Sequence, residues 1–278
     1  MKLKVFVSLL FVAMPFFILA QDKPNEEPKY GWQNEVIGGI NLNQTSFDNW
    51  SQGGENNFAW QLNINFKFIN DQAKTNWATS GKLSYGESKT GDLESRKSVD
   101  EIKLESVLTY KSGQFLNPFV AVTGETQFIA GYTYDPKVQI SNFLDPGFFR
   151  ESIGVGYKPN DIIQTRLGAA MKQTVTDKFT ARYTGQTDNK IINKVGAESV
   201  TDVNLKISES SIFTSKLELF SELKSIETTD VYWDNILTAK INKYFNMNFN
   251  VKLLYDRNIS TKRQLKQAIA LGLTYTFL

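Results

Sequence analysis

The stretch QLKQAIALGLTYTFL, residues 264–278, decides how the rest of the chain is read. Leu265, Ile269, Leu271, Leu273, Tyr275 and Phe277 fall on one parity, and Lys266, Ala268, Ala270, Gly272, Thr274 and Thr276 on the other. Successive side chains of a strand point to opposite faces, so this period of two makes one face broadly apolar and the other small or polar. The pattern predicts a β-strand that closes on two aromatic residues.

Within it, Gly272, Tyr275 and Phe277 resemble the C-terminal signal that the outer-membrane assembly machinery recognises in barrel proteins, with Ala270 where that signal has a polar residue and Leu278 trailing the last aromatic. The same alternation recurs upstream. Phe58, Trp60, Leu62, Ile64, Phe66 and Phe68 alternate without a break against Ala59, Gln61, Asn63, Asn65, Lys67 and Ile69. Comparable segments fall at 32–42, 75–85, 100–110, 118–132, 149–157, 162–173, 194–208, 212–224, 231–242 and 245–255. With the terminal one this gives about twelve strands, an even number as in bacterial outer-membrane barrels. Strands of roughly ten residues suffice for a tilted bilayer crossing. In 194–208 the pattern slips near Val200, and a bulge or a shorter strand is expected there.

The connections at 44–57, 86–99, 133–148 and 174–193 read as long and polar, and those at 70–74, 111–117, 158–161, 209–211 and 242–244 as short; the remaining two, 225–230 and 256–263, are intermediate. Long loops on one rim and tight turns on the other fit an outer-membrane barrel with both termini on the periplasmic side. Tyr85, Tyr132, Trp233 and Tyr255 are expected at the outer rim, and Trp77, Tyr110, Tyr157, Tyr244, Tyr275 and Phe277 at the inner one, where an amphipathic ring rests half in headgroup and half in hydrocarbon.

A soluble all-β fold has the same periodicity, but packing separates the two. An eight-stranded barrel is already filled by its own side chains, so twelve strands turned apolar-inward leave a void unless they collapse into a sandwich. Turned outward, the apolar face meets lipid, and charges such as Lys67, Lys252 and Lys266 line water or one another. The predicted fold is therefore a transmembrane antiparallel up-and-down β-barrel over residues 32–278.

The first twenty residues differ. Lys2 and Lys4 precede an apolar run from Val5 to Leu19 and then Ala20, the form of a cleaved secretory signal peptide. Residues 21–31 read as a flexible periplasmic lead-in. The full chain carries 31 basic and 29 acidic residues, and cleavage after Ala20 removes Lys2 and Lys4, leaving 29 of each (31 − 2 = 29). That balance gives no basic footprint for nucleic acid. With no Cys and no His, thiolate chemistry, imidazole general bases and most zinc sites are absent. No carboxylate pair stands out by its spacing, so no catalytic residue, metal or cofactor is expected.

Four stretches carry a resemblance: NQTSFDNWSQGGENN at 43–57, DPGFF at 145–149, GAESVTD at 196–202 and WDNILTAKINKYF at 233–245. Together they resemble an uncharacterised family of outer-membrane β-barrel proteins from Bacteroidota, over nearly all of the chain after the signal. The resemblance implies the barrel and its location, and assigns no residue a role.

Two groups are candidates for function. In the first loop, Trp50 and Glu55 are candidates for a constriction or ligand contact, against a loop that only packs on itself. On the inward parity, Lys103, Glu105, Glu125, Arg150, Arg166, Glu218 and Lys240 either pair across the lumen and close it or line a narrow polar pore. The sequence predicts a monomeric small-solute channel of narrow, mixed-charge lumen, or else a plugged barrel that serves as a surface scaffold or adhesion protein through its long loops. Its expected partners are outer-membrane lipid, lipopolysaccharide and the barrel assembly machinery.

Overall fold

The computed structural model describes residues 30–47, 54–113, 116–185, 187–225, 229–242, 244–257, 260 and 262–276. The expected signal peptide, the lead-in up to residue 29, Trp50 and Phe277 lie outside the described residues. The first four strands are long: β1 (Gly31–Thr45), β2 (Asn57–Asp71), β3 (Thr75–Thr90) and β4 (Arg96–Tyr110). After β5 (Leu116–Thr126) come a small hairpin, β6 (Gly131–Tyr134) and β7 (Lys137–Ser141), then β8 (Gly147–Tyr157) and β9 (Ile163–Val175). A one-turn helix, α1 (Thr180–Thr184), precedes β10 (Ile191–Lys206), β11 (Ser211–Glu222), β12 (Thr229–Lys240), β13 (Phe245–Tyr255) and β14 (Gln264–Thr276).

Twelve of these strands close into one barrel in the order β1-β14-β13-β12-β11-β10-β9-β8-β5-β4-β3-β2, and β6 pairs only with β7. Every ladder in the barrel is antiparallel. The ends of the chain meet where Ile37 opposes Thr276 and Asn41 opposes Gly272. Closure removes the two free edges that an open sheet would expose.

The barrel is turned inside out relative to a soluble protein. On β14, Leu265, Ile269, Leu271 and Leu273 are exposed, Ile269 to 69%. Among the described residues five apolar side chains are buried (Phe119, Ala121, Ala170, Val200 and Phe220) against thirteen polar or charged ones. An apolar surface continuous round a closed cylinder is stable only where hydrocarbon covers it, which makes this a membrane-spanning barrel. The wall has the height for it. Eleven residues of β8, rising about 3.3 Å each at a tilt of about 40°, cross about 28 Å.

Aromatic rings mark the short-turn rim, where Trp32 and Trp77 meet with centroids 6.2 Å apart and planes tilted by 55°. Trp77 Nε1 donates to Ser106 Oγ at 2.9 Å, and Tyr110, Tyr157, Tyr244 and Tyr275 are exposed on the same rim.

Three expectations are corrected. The fifth strand does not run to Tyr132; it ends at Thr126, and Gly131–Tyr134 belongs to the hairpin outside the barrel. Alternation continues through both, so periodicity does not mark where the chain leaves the wall. The departure is fixed by Asp100, whose carboxylate accepts the N–H groups of Phe128 (2.6 Å) and Ile129 (3.1 Å). Nor does β10 have a bulge at Val200: its register is unbroken on both sides. Val200 is an apolar residue on the inward parity, 1% exposed, so polarity slips there while geometry does not. The wall's irregularity lies at Gly86 and Glu87 of β3. Finally, the connection expected at 86–99 shrinks to 91–95, because β3 and β4 both extend beyond the predicted ends.

Candidate functional site

The lumen is built from pairs of charges two residues apart. Residues i and i+2 of a strand share a face about 7 Å apart, so Lys103 and Glu105 on β4 present opposite charges at two heights, as do Lys216 and Glu218 on β11. In the ring of twelve, β4 and β11 stand five places apart, close to diametrically opposed. Lys103 Nζ donates to Glu218 Oε1 at 2.7 Å, across the bore. The same lysine lies 3.8 Å from Glu125 of β5.

Around this bridge the network spreads along one wall. Glu105 accepts from Lys216 and from Arg166 of β9. Arg150 Nη1 of β8 is shared between Glu198 of β10 at 3.2 Å and Glu218 at 3.3 Å. Four cations (Lys103, Arg150, Arg166, Lys216) thus meet four carboxylates (Glu105, Glu125, Glu198, Glu218), a balanced set. Removing one member would leave a charge uncompensated, which in a buried pair costs about 3–5 kcal/mol. Apolar Phe119, Ala121, Ala170, Val200 and Phe220 are buried on the inward parity of the same strands, β5 and β9 to β11. The Arg166 guanidinium lies over the Phe119 ring at 5.8 Å.

Two further bridges lie toward the long-loop rim. Glu101 of β4 accepts from Lys82 of β3 at 2.9 Å and from Lys252 of β13 at 3.0 Å. Lys172 of β9, only 4% exposed, donates to Asp230 at 2.8 Å and Asp256 at 2.6 Å, and Tyr232 OH donates to Asp256 at 3.1 Å. Beside Lys172 is a small open pocket lined by Phe148, Tyr183, Lys194 and Asp256 among others. At the base of the loop that forms its roof, Lys190 donates to the exposed Asp177 carboxylate, which lowers that carboxyl below its ordinary range.

The other half of the lumen is lined mainly by amides and hydroxyls, with Lys67, Lys82, Asp234, Lys252 and Lys266 on the same inward parity. Asn41 of β1, Gln61, Asn63 and Asn65 of β2, Ser80 and Ser84 of β3, and Asn246, Asn248 and Asn250 of β13 all fall on the inward parity. They bond among themselves: Asn248 Nδ2 donates to Asn246 Oδ1 at 2.8 Å, and Ser84 Oγ to Asn63 Oδ1 at 2.9 Å.

Of the residues singled out from sequence, Lys103, Glu105, Glu125, Arg150, Arg166 and Glu218 come together in one network. Lys240 does not join them; it is the last residue of β12, exposed on the short-turn rim. Glu55 is exposed at the long-loop rim beside Gly91, away from the bore. Gly272 faces inward at the β1–β14 seam, where a Cβ would come within 2.4 Å of Asn41 Oδ1, and Tyr275 points outward, 57% exposed. Lys82, Glu101, Lys172, Glu198, Lys216, Asp230 and Asp256 were not singled out. Most of them sit an even number of residues from a named charge on the same strand, so parity alone was enough to find them. Among the described residues, no group of three or more His, Cys, Asp or Glu is placed to hold a metal ion.

Fold and lumen together define a β-barrel of the outer-membrane type. The chain matches two family models: Protein of unknown function (DUF3078) over residues 42–132, and Protein of unknown function, DUF481, over residues 144–277. No curated protein matches it. Among solved structures it is similar to the translocator domain of the autotransporter NalP from Neisseria meningitidis, with 9% identity, TM-score 0.42 and 90% of each chain covered. It is also similar to an outer membrane channel from Pseudomonas putida F1 (9% identity, TM-score 0.41, 92% of this chain and 99% of that one). The KdgM porin matches at 10% identity and TM-score 0.36, over 88% of this chain and 100% of that one. Likeness at this level decides nothing about activity.

Proposed function

We propose that the protein is a narrow outer-membrane channel for small polar solutes, exported by the signal in residues 1–20 and belonging to a barrel family of Bacteroidota. It carries no chemistry of its own. Solute passes along the amide-lined half of the lumen, beside the ion pairs that brace the other half. The observation that carries this reading is that three members of the network keep access to water, Lys103 with 22% of its side-chain surface, Lys216 with 27% and Glu125 with 33%, while Glu218, the partner of both lysines, keeps 6%. A sealed plug would leave them dry, because an unhydrated charge is tolerated only when fully paired. Lipid and lipopolysaccharide surround the wall, and the assembly machinery reads Gly272, Tyr275 and Phe277.

Planar-bilayer recording of the purified chain tests this. Small ohmic steps with little ion preference are expected, because the bridging charges balance. Glu218→Gln leaves the network one positive charge in excess and shifts the preference toward anions, while Lys103→Met shifts it toward cations. Replacing both removes the bridge and raises conductance with no shift in preference. Silence at all voltages in the wild type and in the double variant would overturn the channel and leave a plugged scaffold.

A further inference from the structure

Toward the long-loop rim, the inward lysines hold carboxylates with one exception. Lys82 and Lys252 share Glu101, Lys172 holds Asp230 and Asp256, and Lys194 holds Glu222. Lys266 of β14 holds none. It faces inward in register with Lys252 and is exposed to the bore. Among the described residues, the acceptor found for its ammonium is the Ser98 carbonyl at 3.5 Å, at the outer limit of a hydrogen bond.

Its neighbours make the excess plain. Asp202, Lys216, Asp234, Lys252 and Lys266 form a single register row across β10 to β14. Charge alternates along the row until the last step, where two lysines stand side by side. Like charges directly opposite each other on a sheet are destabilising. Glu101 is already taken, one oxygen by Lys82 at 2.9 Å and the other by Lys252 at 3.0 Å, and Asp234 accepts the Asn250 amide at 2.5 Å. Three ammonium groups, on Lys82, Lys252 and Lys266, thus share the carboxylates of Glu101 and Asp234. Deeper in the bore Lys67 has Glu35 in register, so the excess is local. Its depth is read off β4: going inward, Ser98 meets Lys266, Glu101 meets Lys82 and Lys252, and Lys103 meets Glu218. The excess therefore lies on the long-loop side of the Lys103–Glu218 bridge.

We infer that this place is a binding site for small polyvalent anions, carrying carboxylate or phosphate groups, which solute meets before it reaches the bridge. One anionic group set between Lys252 and Lys266 relieves their repulsion, and a second is drawn to Lys82, whose ammonium shares Glu101 with Lys252. A monovalent ion gains only one such contact, so simple salts are scarcely sorted, in keeping with the balanced network below. The inference names the solute of the proposed channel and rests on that reading for passage, but not for binding.

Isothermal titration calorimetry of the folded barrel in detergent tests it, with citrate, glucose 6-phosphate and, as neutral control, glucose. Binding of at least one of the two anions and none of glucose is expected, and the tighter anion assigns the preferred group. Lys266→Gln should weaken that binding about tenfold, as loss of one charge-assisted hydrogen bond would, while Lys266→Arg keeps the charge and should keep most of the binding. Lys240→Gln removes the same charge from the short-turn rim and should leave binding unchanged, which separates a site from general attraction. The heat-dependent gel shift of the folded barrel should persist in all three variants, which separates lost binding from lost folding. Bilayer recording parts the two readings: conductance without anion binding sinks the site and keeps the channel, and binding without conductance does the reverse. No binding of either anion, equal binding of glucose, or equal weakening by Lys266→Gln and Lys240→Gln would each overturn the site.

Discussion

Gly154 and Gly168 face each other across β8 and β9, and neither tolerates a side chain. A Cβ on Gly154 would lie 2.1 Å from the Leu167 carbonyl oxygen, and one on Gly168 would lie 2.4 Å from that of Ile153. Both clashes are with backbone, which cannot swing aside as a side-chain tip can. Gly168→Val should therefore destabilise the barrel by about 2–3 kcal/mol, the usual cost of overpacking, read as a lower midpoint for loss of the heat-dependent gel shift. Gly81→Ala is the contrast. The contact there is the Phe66 ring edge at 2.1 Å, a side chain that can rotate outward into lipid, so the change should be much smaller. The residue scale also explains the lumen: Glu218, with 6% of its side chain exposed, holds both Lys103 and Arg150, and so one carboxylate ties opposite walls together.

At the scale of elements, the two largest loops are fastened to each other. Asp145, between β7 and β8, accepts the N–H groups of Asp177 and Lys178 at 2.8 Å each, which join the connection from β9 to α1. Tyr183 OH of α1 donates to the Ile140 carbonyl of β7 at 3.1 Å. Hairpin and helix thus form one platform over the β8–β10 side of the mouth. Asp145→Ala should release it while the barrel stays closed, because no barrel ladder includes Asp145. Limited trypsin digestion of intact cells should then cut at Lys178, Arg182 or Lys190 at least several-fold faster, with the heat-dependent shift of the core unchanged. Equal digestion of variant and wild type would mean that the platform is held by other contacts.

For the whole molecule, the ladders are not equal. Among the described residues β1 pairs with β14 at five positions, whereas it pairs with β2 at fifteen. The seam also depends on Gly272, since only a residue without a Cβ leaves room for the Asn41 amide there. Opening is expected to begin at this junction, because a barrel loses closure at the ladder with the fewest hydrogen bonds. Hydrogen exchange should show the amides of Ile37 to Asn41 that face β14 losing protection before those of β2 and β3. Uniform protection round the ring would contradict this.

The sequence by itself determined the architecture, because a closed sheet in lipid must alternate and must satisfy its backbone within itself. The apolar parity of Leu265 to Tyr275 and the unbroken run Phe58 to Phe68 fixed which face turns outward, and parity also put Lys103, Glu105 and Glu218 in the lumen. Only the tertiary structure decided which strands stand opposite one another. That Lys103 meets Glu218, that Lys240 and Glu55 stay apart from them, and that Tyr132 lies in a hairpin outside the wall all follow from ring order, stagger and loop fastening. These depend on contacts between residues far apart in the chain, on which a local period of two is silent.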